Sequence, residues 1–128
     1  MLEDRKASIL IVDDEAPVRD LMALFLSDEY TCVTASTVHE AQTLLSNSFF
    51  NLVIVDMILQ DASGISLCEF IRSAYPETVV IVISEDLEEE TIIPHKAFDW
   101  IAKPFDLPRL QMAVNRAIAY QRLRRNLT

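Results

Sequence analysis

Two patterns of apolar residues alternate along this chain. Short uninterrupted apolar runs at 9–12, 52–55 and 79–83 are typical of strands that are buried on both faces. Each predicted strand is followed by a segment with apolar residues at helical spacing. These segments cover about 15–28, 37–47, 63–75, 87–95 and 106–125. Two more mixed strands, at 30–35 and 97–102, bring the total to five strand–helix units.

Local signals place several ends of these elements. Pro17 suits the first turn of the first helix. Thr37, with Glu40 three residues further on, forms a capping box at the start of the second helix. Pro94 ends the short helix predicted over 87–95. The alternation predicts an α/β fold of the flavodoxin-like, doubly wound type, with five parallel strands in the order 2-1-3-4-5 and helices on both faces.

Composition narrows the class of protein. With 128 residues, 51% of them hydrophobic and 24% charged, the chain is long enough for one globular domain over 1–128. We expect no membrane insertion, because no apolar stretch is long enough and the N-terminus lacks a signal-peptide layout. Cys32 and Cys68 have no metal-ligand spacing and are expected to be reduced thiols, so the chain is expected to be cytoplasmic. The net charge of −9 argues against direct nucleic acid binding.

Polar residues stand where four of the predicted strands end. Asp13 and Asp14 follow the first strand and Asp56 ends the third, while Ser84 and Lys103 follow the fourth and fifth. Ligands of open α/β sheets bind at this carboxyl edge. Carboxylates that meet there repel one another unless a cation lies between them. The arrangement indicates a divalent metal site beside a reactive carboxylate, although each residue alone has an ordinary structural explanation.

Together these residues resemble the receiver domain of two-component response regulators. The resemblance covers about residues 7–122, and its matching parts are the sequence Ile-Val-Asp-Asp-Glu at 11–15, Val-Asp-Met at 55–57, Gly64, Ser84, and Ala-Lys-Pro-Phe at 102–105. It implies that Asp56 accepts a phosphoryl group as an acyl phosphate. The implied donor is a sensor histidine kinase or a phosphotransfer protein. Only self-phosphorylation and self-dephosphorylation are implied, and no other enzymatic activity.

The resemblance also implies the remaining parts of the site. Mg²⁺ (or Mn²⁺) would be bound by Asp13, Asp14, Asp56 and the backbone carbonyl of Ile58. Lys103 would hold Asp56 and later a phosphoryl oxygen, and its peptide bond to Pro104 is expected to be cis. Ser84 would hydrogen-bond the phosphoryl group, and Ser84 with Trp100 would switch a signalling surface.

The chain departs from the family pattern at four places. Gln60 replaces a usual proline and loosens the loop after Asp56. Glu85 replaces a small residue and is expected to hinder access of small anionic phosphodonors. The stretch between Ser84 and Lys103 is about three residues short, so the fourth helix is expected to be stunted. Trp100 replaces a smaller aromatic residue.

The output is left open by the sequence. Ala113, Ala117, Tyr120 and Leu123 have near-heptad spacing in the last helix, which could lead to an output domain or form a homodimer seam. An ordinary amphipathic helix with a basic tail is the alternative, and the face of the fourth helix is a second candidate for contacts. Two other functions also remain: a degenerate receiver that binds a partner without phosphorylation, and a small phosphohydrolase with an aspartate nucleophile.

Overall fold

The computed structural model of the chain describes residues 5–85 and 97–127. Within these ranges the elements follow one another as β1 (Ser8–Val12), α1 (Ala16–Leu26), β2 (Thr31–Ala35), α2 (Val38–Asn47), β3 (Leu52–Asp56), α3 (Gly64–Ala74), β4 (Val79–Ser84), β5 (Asp99–Ala102) and α4 (Leu107–Leu127). The helix predicted over 87–95 and its end at Pro94 lie outside the described residues. Among the helices of the described ranges, none is long and apolar enough to cross a membrane.

The sheet confirms the predicted flavodoxin-like topology. Its five strands lie in the order β2-β1-β3-β4-β5, and every neighbouring pair is parallel. The central strand β3 is buried along its whole length, as its unbroken apolar sequence predicts. The predicted cap at Thr37 is confirmed, because the backbone N–H of Glu40 donates to Thr37 Oγ1 over 3.0 Å at the start of α2. The Glu40 side chain accepts from the N–H of Ser36 and not from that of Thr37, so the second bond of the capping box is displaced by one residue.

Two apolar layers cover the sheet, since successive side chains of a strand point to opposite faces. Ile9 and Ile11 pack in the layer that contains residues of α1 and α4. Leu10 and Val12 pack in the layer that contains residues of α2 and α3.

The apolar positions of the helices are not all part of this core. In α1, Leu21 and Leu24 are exposed, although their helical spacing matches that of the buried Met22. In α4, Ala113 and Ala117 are fully buried in the chain's own core, so these two of the four residues with near-heptad spacing are not available for an intermolecular seam. Any contact through that helix is left to exposed residues such as Leu123.

Candidate functional site

Four neighbouring strands bring the predicted polar residues to one edge of the sheet. Asp13 directly follows β1, Asp56 and Ser84 are the last residues of β3 and β4, and Lys103 directly follows β5. Because β1, β3, β4 and β5 are adjacent and parallel, their carboxyl ends lie side by side. The fold therefore holds two acids, a hydroxyl and a cation at the same end of a rigid, buried sheet.

Lys103 is the positive charge of this edge. Its Nζ donates a hydrogen bond of 2.8 Å to Asp56 Oδ2, and lies 3.9 Å from Asp13 Oδ2 and 3.8 Å from Glu15 Oε1. Burial alone would lower the pKa of Lys103, but the hydrogen bond to Asp56 and the charges of the three carboxylates outweigh it and raise the pKa. Lys103 is therefore protonated at neutral pH.

Asp13 is buried, and one of its oxygens lacks a hydrogen-bond donor. Its Oδ1 accepts a bond of 2.8 Å from the backbone N–H of Glu15, whereas its Oδ2 has no hydrogen-bond partner within the described part of the chain. Burial raises the pKa of Asp13, and the neighbouring Asp56 raises it further against the opposing effect of the Glu15 N–H. A buried carboxylate in this condition is stabilised by a cation.

The residues present fit a divalent cation. Asp13, Asp14, Glu15 and Asp56 each offer one ligand atom, and these atoms lie within 4.8 Å of one another. Carboxylate oxygens are the ligands of hard cations such as Mg²⁺, which keeps several waters and needs few protein ligands. The half-buried Asp14 and the exposed Glu15 leave the group open to solvent. Together with Asp13 Oδ2, which accepts no hydrogen bond from the described residues, this donor set matches the chemistry of a Mg²⁺ site.

Glu15 is a member of this group to which sequence reasoning assigned no role. Its place directly after Asp13 and Asp14, in the same turn from β1 to α1, was the signal available.

The loop from β3 to α3 folds back beside Asp56. The backbone N–H of Ile58 donates to Asp56 Oδ1 over 3.3 Å, and Ile58 forms an antiparallel bridge with Ser63. The N–H of Gly64 donates to the carbonyl of Met57 over 2.6 Å. The Ile58 backbone therefore lies next to Asp56, while its side chain is 71% exposed.

Gly64 allows this close return of the chain. A Cβ atom at this position would collide with the carbonyl oxygen of Asp56 and would lie 2.9 Å from the Cα of Met57. This is the one glycine of the sequence, and it is required by backbone proximity and not by an unusual φ angle.

The predicted switch residues lie on β4, which neighbours β3, and on the edge strand β5. Ser84 is buried at the end of β4 and pairs with Ala102 in the register of the sheet, whereas Trp100 pairs with Val82, two residues earlier along β4. The indole of Trp100 is partly buried, and its Nε1 has no hydrogen-bond partner in the described ranges. No hydrogen bond from the described residues therefore holds the ring in place.

An open groove adjoins Lys103. The peptide bond from Lys103 to Pro104 is cis, and both residues line a cavity of about 650 Å³. One side of the cavity is apolar and includes the exposed Leu21 of α1, while Glu15 and Glu85 add negative charge. The sequence did not predict this groove, because helical spacing alone does not distinguish the exposed Leu21 from the buried Met22.

The fold and this edge together define a CheY-like signalling domain, and known structures and sequences agree. A CheY-like response regulator receiver domain from Methanospirillum hungatei has a TM-score of 0.87 at 27% identity, covering 94% of this chain and 99% of that one. The response regulator TrrA from Thermotoga maritima, solved in complex with Mg²⁺ and BeF, has a TM-score of 0.81 at 26% identity, covering 87% and 98%.

The family model of the response regulator receiver domain matches residues 9–115, and the chain belongs to this family. The response regulator protein PilR from Pseudomonas aeruginosa is 37% identical over 113 residues, which cover 85% of this chain and 25% of PilR. The chain thus spans about a quarter of the length of this curated relative. The predicted membership of the receiver-domain family and the predicted fold are both confirmed.

Proposed function

We propose that this chain is a phospho-accepting receiver of a cytoplasmic two-component pathway, in which Asp56 takes a phosphoryl group from the phosphohistidine of a sensor histidine kinase or a phosphotransfer protein. The observation that carries the proposal is the contact of 2.8 Å between Lys103 and Asp56, next to a group of acids that fits a divalent cation. The Mg²⁺ and BeF bound to TrrA support the same pair of ligands for this chain.

In the proposed reaction, a carboxylate oxygen of Asp56 attacks phosphorus while the P–N bond to the donor imidazole breaks. The electron pair of that bond leaves with the ring nitrogen, and an acyl phosphate forms. Lys103 orients the carboxylate of Asp56 before transfer, and afterwards it neutralises a phosphoryl oxygen. Ser84 would then hydrogen-bond the phosphoryl group. Positioning and charge neutralisation are what phosphoryl transfer requires of a protein.

The metal ligands in this proposal are Asp13, Asp14, Asp56 and the backbone carbonyl of Ile58. When bound, Mg²⁺ (or Mn²⁺) neutralises negative charge on the phosphoryl oxygens. Asp13 contributes the oxygen that otherwise lacks a donor. Glu15 lies close enough to join the group or to bind one of the metal's waters.

The groove beside Lys103 suits a protein donor better than a small anion. Its apolar side offers Leu21, which is 52% exposed, for packing against a partner. Glu15 and Glu85 line the same groove and repel free acyl phosphates and other small anions. A donor histidine carried on a protein would overcome this repulsion with apolar contact area.

The output belongs to the proposal as well. Because this chain covers about a quarter of PilR, we propose that it controls an output domain. The alternative that we propose is that it signals by forming a homodimer. Tyr120 and Leu123 are exposed on the described part of α4 and are available for either contact. The face of the helix predicted over 87–95 is the second candidate. No catalytic activity beyond self-phosphorylation and self-dephosphorylation is proposed.

A phosphorylation assay tests the function. The chain is incubated with Mg²⁺ and either a panel of phosphohistidine proteins or phosphoramidate, a small P–N donor that should react more slowly because Glu15 and Glu85 repel anions, and intact mass is followed over time. A gain of one phosphoryl group in the wild type, lost in Asp56→Asn and retained in the exposed control Asp28→Asn, is expected. No modification, even with a panel of phosphohistidine proteins, would instead indicate a degenerate receiver, and continuous release of phosphate would indicate a phosphohydrolase.

A further inference from the structure

Asp61 connects two parts of the chain that are far apart in sequence. Its Oδ1 accepts a hydrogen bond of 3.0 Å from the backbone N–H of Val38, and its Oδ2 accepts one of 3.0 Å from the N–H of His39. These donors are the first two residues of α2, whereas Asp61 lies in the loop between β3 and α3. We propose that Asp61 is a positioning residue that holds this loop, and through it the backbone of Ile58, in place beside Asp56.

The electrostatics of the contact favour a carboxylate. The first N–H groups of a helix have no partner within the helix and carry its positive dipole end. The two N–H bonds, that of Val38 foremost, lower the pKa of Asp61 even though its side chain is exposed. Asp61 is therefore charged at neutral pH and binds both donors at once.

The base and the tip of the loop are held by different contacts. At the base, Ile58 bridges Ser63 and Gly64 bonds to Met57. At the tip, Asp61 adds an attachment to an element outside the loop. Ile58 lies three residues before Asp61, so fixing the tip narrows the range of positions open to the Ile58 carbonyl.

The helix itself already has a capping residue. Thr37 caps α2 by accepting the N–H of Glu40, and His39, one of the two remaining donors, is exposed to water. The loop, in contrast, depends on Asp61 for this attachment to α2. The consequence of the contact is therefore expected mainly at the phosphoacceptor site, and not in the stability of α2.

Two variants separate positioning from capping. Asp61→Ala removes the attachment of the loop, whereas Thr37→Ala removes a cap from the same helix end and leaves the loop contact in place. Hydrogen exchange of the metal-free proteins is measured at the amides of Ile58 and Gly64. We expect faster exchange at both amides in Asp61→Ala, and wild-type rates in Thr37→Ala. Wild-type rates in Asp61→Ala, or equal acceleration in both variants, would overturn the proposal.

A second readout uses Mg²⁺ titration by calorimetry, and it rests on the proposed function because it assumes the metal site. We expect Asp61→Ala to weaken Mg²⁺ binding roughly tenfold, as removal of an outer partner of a metal site does. Phosphorylation at saturating Mg²⁺ should stay near the wild-type rate, since Asp56 and Lys103 are untouched. Asp61→Asn keeps one acceptor oxygen and should recover part of the affinity.

Failure of the proposed function and failure of the positioning role of Asp61 give different results. A wild-type chain that binds no Mg²⁺ would overturn the proposed function, and the exchange rates, which need no metal, would still decide the role of Asp61. A wild-type chain that binds Mg²⁺ with the same affinity as Asp61→Ala would overturn the positioning role alone.

Discussion

Lys103 and Asp56 are joined by a hydrogen bond of 2.8 Å that links the ends of β5 and β3 across the intervening strand β4. The ammonium group is also within 4 Å of Asp13 and Glu15. It therefore partly neutralises the acids that would otherwise bind a metal. Lys103 both prepares Asp56 for reaction and competes with a divalent cation for the same negative charge.

This competition gives the first prediction. Lys103→Met removes the competing charge, so we expect Mg²⁺ to bind at least several-fold more tightly, a change of about 1 kcal/mol if the charges about 4 Å apart are screened as in bulk water. The same variant should fail to accumulate acyl phosphate, because the cation that orients Asp56 is gone. Calorimetric titration and intact mass measure the two effects. Lys6→Met, an exposed lysine outside the group, serves as the control, and weaker Mg²⁺ binding in Lys103→Met would contradict the idea.

The second prediction concerns pH and Asp13. Burial raises the pKa of Asp13 above 3.8 in the folded chain, so the folded state binds more protons than the unfolded state between the two pKa values. The free energy of unfolding therefore falls as pH rises through that window, and the loss persists at neutral pH. We expect metal-free Asp13→Asn to melt at a higher temperature than the wild type at neutral pH. The difference should vanish as the pH approaches 3.8.

Mg²⁺ should reverse the order of the two melting temperatures, so that the wild type melts above Asp13→Asn. Binding to the folded state stabilises the wild type by mass action, while Asp13→Asn lacks one ligand and should gain less. Thermal melts with and without millimolar Mg²⁺ give the comparison, with Asp28→Asn as an exposed control. A wild-type midpoint that does not respond to Mg²⁺ would contradict the metal site.

Gly64→Ala tests the close return of the loop. Alanine favours a helix over glycine by about 1 kcal/mol, but the added Cβ collides with the carbonyl oxygen of Asp56. Overpacking of this kind costs about 1–3 kcal/mol, so we expect a net decrease of up to about 2 kcal/mol in the free energy of unfolding. Urea denaturation measures it. Ser73→Ala, on the exposed side of α3, should not decrease stability, and an equal result for both variants would refute the packing argument.

Ile58 should set the lifetime of the acyl phosphate. Its exposed apolar side chain cannot orient a hydrolytic water, and the exposed Glu85 adds charge that repels hydroxide. We expect Ile58→Asn to lose its phosphoryl group about tenfold faster, which is less than the roughly 100-fold or more of a true general acid or base, because an amide can orient a water but cannot take its proton. The decay of phosphorylated protein is followed by intact mass, with Ile58→Val as the control. Equal or slower loss in the asparagine variant would disprove this role.

The sequence predicted the sheet and its carboxyl edge because the signals for both are local. Buried parallel strands are uninterrupted apolar runs, and the polar residues Asp56 and Ser84 end two of these runs directly. Once the strand order followed from the alternation of elements, the meeting of these residues at one edge followed as well.

Contacts between distant segments could not be predicted in the same way. Asp61 binds backbone N–H groups 22 and 23 residues earlier, and because every helix offers such groups, no residue pattern marks the pair. Helical spacing likewise grouped Leu24 with Met22, although the sheet covers only part of the apolar side of α1. Near-heptad spacing could not distinguish Ala117, which is buried in the chain's own core, from a residue of an intermolecular seam.

The last prediction concerns the switch, and Trp100 is its probe, because it is the one tryptophan of the chain. If phosphorylation draws Ser84 toward Asp56, space opens near the end of β4 and the indole, which no hydrogen bond holds within the described residues, should repack. Its emission should shift when beryllofluoride and Mg²⁺ are added. Asp56→Asn should abolish the shift, and Ser84→Ala should keep binding but reduce the shift. Constant emission while beryllofluoride demonstrably binds would show that this receiver signals without the pair of Ser84 and Trp100.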